Sequence, residues 1–141
     1  MQAFWDASSV VHLYAPSQSS AKARELARAV QSVVWWGTVV EVASALARLT
    51  RMGELSPDAQ RVVRKKMQSA LARWPQILPS EDVLSCAIDQ VDRYTLTAGD
   101  AVQLAAALVW CKHKPRGRWF VSNDVRLASA ALSSGFEALS V

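Results

Sequence analysis

Short β-branched and aromatic runs alternate along this chain with helix-patterned segments, and no two of the runs are joined by a tight hairpin turn. QAFW (2–5), SVVWW (32–36), QILP (76–79), GRWFVSN (117–123) and FEALSV (136–141) read as strands. Between them, helices are expected from about 8 to 14, ended by Pro16, and over 19–30, 38–53, 56–74, 81–94, 97–113 and 124–135. Gly53 closes the helix 38–53, and Ser56 with Pro57 opens the helix 56–74. Antiparallel neighbours can be joined by two residues, whereas parallel neighbours need a crossover. The alternation therefore predicts the α/β class, a parallel sheet with helices on both faces. In such sheets, sites form beyond the carboxyl ends of the strands.

A length of 141 residues suits one core, so a single domain over 1–141 is expected. Hydrophobic residues at 51% and charged residues at 20% exclude a disordered chain. The apolar stretches around 33–47 and 101–111 are broken by Glu41 and Gln103, and fall short of the roughly 20 residues a bilayer crossing needs. No signal-peptide pattern opens the chain. The expectation is a cytoplasmic protein with no membrane partner, in which Cys86 and Cys111 are free thiols at a spacing that fits no zinc motif.

Four acids stand in apolar or small-residue company: WDAS at Asp6, VVEVA at Glu41, AGDAV at Asp100 and SNDVR at Asp124. Each follows an expected strand or opens an expected helix, which places all four toward one edge of a parallel sheet. Each also has a plainer reading. Thr38-x-x-Glu41 and Thr97-x-x-Asp100 match capping boxes, and Asp6 and Asp124 can cap the helices that follow them. Caps scatter around a fold, however, and these four are expected together. Gathered carboxylates repel, which raises their pKa and costs stability unless cations neutralise them. Such a set suits a hard divalent cation with oxygen ligands, Mg²⁺ or Mn²⁺.

A cation of this kind lowers the pKa of water and offsets charge on a phosphoryl group, so phosphodiester hydrolysis needs no nucleophilic side chain. The chain has no G-x-S-x-G elbow, P-loop or G-x-G-x-x-G. Its two histidines read as poorly placed for acid–base work, His12 on a helix and His113 within KHKPRGR. Net charge is +4 with a pI near 9.4. With four of the twelve acids in one pocket, eight remain against 16 basic residues, a balance that suits a polyanionic substrate. The basic residues gather on the helix 56–74 and in 112–118, where solvated faces and a helix C-terminus also account for them. Trp110 and Trp119 flank the second group and are the better candidates for stacking on bases. A receiver-type phosphoacceptor would want an acid pair after strand one and a late Lys, and a haloacid-dehalogenase-like phosphatase would want Asp-x-Asp. Asp6-Ala7-Ser8 provides neither, and no Lys follows Lys114.

The four segments, taken in order, resemble the PIN-domain ribonucleases, and most closely the VapC-type toxins of toxin–antitoxin pairs. DASSVVHLY (6–14) is similar to that family's opening, TVVEVASALARL (38–49) to its Glu-bearing helix, and LTAGDAVQLAAAL (96–108) to its Asp-Ala helix. FVSNDVRLASAALSSGFEAL (120–139) is similar to its final strand, acid and helix. The resemblance implies a three-layer α/β/α PIN-like fold with a mostly parallel sheet of four to five short strands. It implies an endoribonuclease dependent on Mg²⁺ or Mn²⁺, with Asp6, Asp100 and Asp124 holding the metal and Glu41 completing the acidic set. Ser8 and Ser122 would be supporting hydrogen-bond groups, and Arg48, Lys112, Lys114, Arg116 and Arg118 RNA contacts. It further implies a homodimer and a cognate antitoxin that packs near the site. Trp5, Trp35 and Trp36 are bulkier than the resemblance leads one to expect near the first two strands. The alternative is a non-catalytic PIN-like RNA- or protein-binding module in which the acids only cap helices.

Overall fold

The computed structural model of the protein describes residues 1–18 and 20–141. Five strands form one sheet: β1 (Gln2–Trp5), β2 (Gln31–Trp35), β3 (Gln76–Ile77), β4 (Trp119–Val121) and β5 (Glu137–Leu139). Their order is β3-β2-β1-β4-β5, and every pairing is parallel. Around them run α1 (Ala7–Tyr14), α2 (Ala21–Ala29), α3 (Thr38–Arg51), α4 (Pro57–Leu71), α5 (Glu81–Arg93), α6 (Ala98–Trp110) and α7 (Val125–Ser133). The three-layer PIN-like α/β/α arrangement is therefore present, with the sheet wholly parallel.

Side chains alternate across a strand, and the sheet uses that period to feed two cores. Phe4, Val33 and Phe120, paired in register, face one side with α5, α6 and α7. Phe4 and Phe120 stack there at 5.5 Å between ring centroids. Trp5, Val34 and Val121 face the other side with α1, α3 and α4. Trp5 is fully buried and packs on Trp74 at 5.8 Å, so its bulk fills this second core. Trp35 is half-buried, with Trp36 edge-on to it and exposed.

Element ends depart from expectation for local reasons. The helix expected over 19–30 starts at Ala21, where the Ser20 hydroxyl accepts from the Ala23 amide; Ser19 lies outside the described residues. The helix expected over 56–74 stops at Leu71, after which the Arg73 and Trp74 amides bond three residues back, to Ala70 and Leu71, in a tighter turn ahead of Pro75. The helix expected over 97–113 stops at Trp110, with Lys112 and His113 in the left-handed region at φ 53° and 58°. Gly53 closes α3 at φ 76°, as its position after the last helical turn predicted. The 3-10 turn Pro16–Gln18 follows α1. Among the described residues no helix is long and apolar enough to cross a membrane. Cys86 and Cys111 are buried and unpaired.

Candidate functional site

Strand β1 ends in Asp6, β4 runs into Ser122-Asn123-Asp124, and β2 passes through Trp36 and Gly37 into α3, which carries Glu41 in its first turn. All three connections leave the carboxyl edge of the sheet. Helix α6 runs back against the strands, so its first turn, with Asp100, lies at this edge too. Gly37 is needed at the turn into α3, because a Cβ there would stand 2.5 Å from the Trp35 indole nitrogen. The four acids line one cavity of about 750 Å³, which extends along the wall between α1 and α3 past Arg48 to Met52 and Glu54.

Asp6 is the most enclosed of the set. Its carboxylate accepts from the Ser8 hydroxyl at 2.8 Å, the Ser9 amide at 2.9 Å and the Ser122 hydroxyl at 2.7 Å. Burial pushes its pKa up, and the bonds from Ser122, Ser9 and Ser8 pull it back. The two serines also hold the opposite loop. Ser8 accepts the Asn123 amide at 2.9 Å, and Ser122 accepts the Asp124 amide at 3.1 Å. One turn on from Ser8, His12 brings Nδ1 within 2.9 Å of the Ser8 carbonyl and lines the cavity. His12 thus lies on the cavity wall, which its place on a helix did not reveal.

Asp124 does cap α7, accepting the Leu127 amide at 2.8 Å, and Asp6 caps α1 through Ser9. The capping reading thus holds for these two acids alongside their place in the cavity. The Asp100 side chain does not cap: the Thr97 hydroxyl accepts the Asp100 amide at 3.3 Å and serves as the N-cap of α6. Burial and the neighbouring Asp124 charge raise the Asp100 pKa. Glu41 is raised to about 7 by burial, with contributions from the Asp100 and Asp6 charges, against a lowering hydrogen bond from Gln103. That bond, from Gln103 Nε2 to Glu41 Oε1 at 3.2 Å, was hidden in sequence because Gln103 stands in an apolar helix.

Among the described residues no three His, Cys, Asp or Glu side chains stand close enough together to form a ready metal cage. The donor set nonetheless fits Mg²⁺ or Mn²⁺. It consists of hard carboxylate oxygens, of which Glu41 and Asp100 are raised in pKa by burial and further by neighbouring acids, and Mg²⁺ keeps several waters while using one or two carboxylates.

Of the basic residues named from the sequence, Arg48 lines the cavity. Lys112, Lys114, Arg116 and Arg118 are not brought there. They follow the far end of α6, about 20 Å away along a helix of this length, where the strands begin. Arg118 lies over the Trp110 ring at 5.4 Å and donates to Gln2 at 3.1 Å, while Trp119 donates to Glu137.

No protein-family model matches the chain, and no curated protein matches it in sequence. Solved structures do match. FitAcB from Neisseria gonorrhoeae superposes with a TM-score of 0.66 at 15% identity, covering 97% of each chain. This chain has a PIN-like fold. PAE2754 from Pyrobaculum aerophilum gives a TM-score of 0.63 at 23% identity, over 100% of this chain and 92% of that one. A toxin–antitoxin complex from Klebsiella pneumoniae gives 0.62 at 17% identity, over 88% of each. The PIN-like fold thus spans the whole described chain, with the four acids at its carboxyl edge.

Proposed function

We propose that this chain is an endoribonuclease dependent on Mg²⁺ or Mn²⁺ and the toxin of a toxin–antitoxin pair. The observation that carries the reading is the convergence of Asp6, Glu41, Asp100 and Asp124 on one cavity at the carboxyl edge of the sheet. The fold's likeness to a chain of a toxin–antitoxin complex supports the biological role.

In this reading Asp6, Asp100 and Asp124 would hold the cation. The chemistry such an ion would supply there is a lowered pKa for water and compensation of charge on the phosphodiester. Glu41, raised to about 7, can take up a proton at its carboxylate near neutral pH. Ser8 and Ser122 keep the Asp6 carboxylate aimed and the 122–124 loop in place. Arg48 on the cavity wall grips a backbone phosphate of the RNA.

A cognate antitoxin and a homodimer belong to the same proposal, as does a cytoplasmic location. For the homodimer, Leu84, Ile88 and Val91 recur at i, i+4 and i+7 on α5 and are 56%, 58% and 47% exposed. An apolar stripe of that extent is what a second copy of the chain would cover.

The capping of α1 by Asp6 and of α7 by Asp124 favours the second reading, a binding module without catalysis. Incubation of the purified protein with RNA separates the two. Cleavage with Mn²⁺ that stops on chelation, and that Asp100→Asn abolishes, is the expected result. RNA left intact in either metal, or cleavage indifferent to Asp100→Asn, would remove the nuclease reading.

A further inference from the structure

We propose that Gln103 is a positioning residue that sets the Glu41 carboxylate relative to Asp100. This rests on the nuclease reading of the acidic cavity. Ala101, Leu104, Ala105, Ala106 and Ala107 make α6 an apolar helix, and Gln103 among them is only 1% exposed. An amide buried at such a place is costly unless its hydrogen-bonding groups are used. Gln103 Nε2 has two protons and two acceptors. It donates to Thr38 Oγ1 at 3.1 Å and to Glu41 Oε1 at 3.2 Å. The acceptors lie one turn apart on α3, so a single fork from α6 grips two points of the opposing helix. The nitrogen end faces Glu41, the orientation an ionised carboxylate requires.

The same fork fixes spacing within the site. Asp100 lies one turn before Gln103 on α6, and a Cβ built on Gly99 would stand 3.9 Å from both Glu41 oxygens. The Glu41 carboxylate therefore rests against the first turn of α6, beside Asp100. Thr38 is fully buried, which gives the fork a fixed second anchor. An apolar side chain of the same length would fill the space and leave Glu41 without its donor. Partners of this kind, which orient an acid without touching the substrate, are typically worth 10–100-fold in metal affinity or activity.

The test compares wild type, Gln103→Met, Glu41→Ala and the double variant. Mn²⁺ affinity is read by titration calorimetry, kcat and KM by RNA cleavage, and the Gln103 side-chain amide by NMR. Gln103→Met should lower kcat about 10–100-fold while KM for RNA stays within about twofold. In the Glu41→Ala background the same change should add nothing, because Gln103 acts through Glu41. Glu41→Ala should also shift the Gln103 amide protons. Equal losses in both backgrounds, or an effect on KM alone, would overturn the proposal, and so would Gln103 amide protons that ignore Glu41→Ala. A wild type that binds no Mn²⁺ and cleaves no RNA would remove the nuclease reading instead. The amide signals would then still report whether Gln103 holds Glu41.

Discussion

The Ser122 hydroxyl donates to Asp6 Oδ2 across 2.7 Å, joining the carboxyl ends of β4 and β1 over 116 residues of sequence. Ser122 is 1% exposed and Asp6 2%, so this bond lies in the protein interior and competes with no water. It holds one of the four acids in place and also braces the fold.

Ser122→Ala should therefore cost stability as well as function. Removing one donor from a buried carboxylate costs about 1–3 kcal/mol. The Asp6 pKa, already raised by burial, would rise further once its Ser122 bond is gone. The loss should be largest at pH values where Asp6 is ionised and should shrink as acid protonates it. Urea denaturation at two pH values measures this, and an equal loss at both would contradict it.

Asp100→Asn should behave oppositely in stability. Thr97, not the Asp100 side chain, caps α6, and burial and the Asp124 charge both disfavour the ionised Asp100. The variant should keep its fold, gain about 0.5–1 kcal/mol by losing like-charge repulsion, and lose RNA cleavage by at least about 100-fold. Thermal unfolding and an RNA-cleavage assay on the same preparation provide the comparison.

Glu41 sets the pH response of the metal-free protein. Its folded pKa, about 7 against an ordinary 4.5, means the folded chain binds the proton more tightly than the unfolded one. Its contribution to stability is thus fully present below about 4.5 and is lost as pH rises through about 7. Discounted for partial exposure, the change is on the order of 1–2 kcal/mol. Glu41→Gln should flatten this slope in a pH series of unfolding midpoints.

Added Mn²⁺ should reverse that destabilisation. Binding to the folded state alone stabilises by about 2.7 kcal/mol at a free concentration 100 times Kd. The midpoint of thermal unfolding should rise on titration with Mn²⁺, return on chelation, and stay unmoved in an Asp100→Asn, Glu41→Gln double variant. A rise of equal size in that variant would place the ion elsewhere.

The α5 stripe makes a separate prediction. Ile88→Asp puts a charge in the centre of Leu84, Ile88 and Val91, at a position already 58% exposed and so without cost to the core. Sedimentation should show a dimer become a monomer, and the unfolding midpoint should fall only by the lost association and cease to depend on protein concentration.

Strand–helix alternation and the apolar runs made the parallel sheet legible, because side-chain periodicity and crossover length are local properties of a chain. Ser56-Pro57 and Gly53 marked helix ends by the same local chemistry. The acids were legible as charges in apolar company, and as helix caps. Neither property separates a cap from a cavity wall, and Asp6 and Asp124 are both at once. Lys112, Lys114, Arg116 and Arg118 looked like Arg48 in composition, yet the direction of α6 carries them to the opposite edge.

Local patterning of the chain is enough to set the class of fold and to single out the acids. Which side chains meet was decided by tertiary structure: Ser122 on Asp6, Gln103 on Glu41, Arg48 and His12 at the cavity. The reason is physical. Propensity and periodicity act over a few residues, whereas burial, like-charge repulsion and the satisfaction of a buried amide arise only when the sheet brings distant segments together.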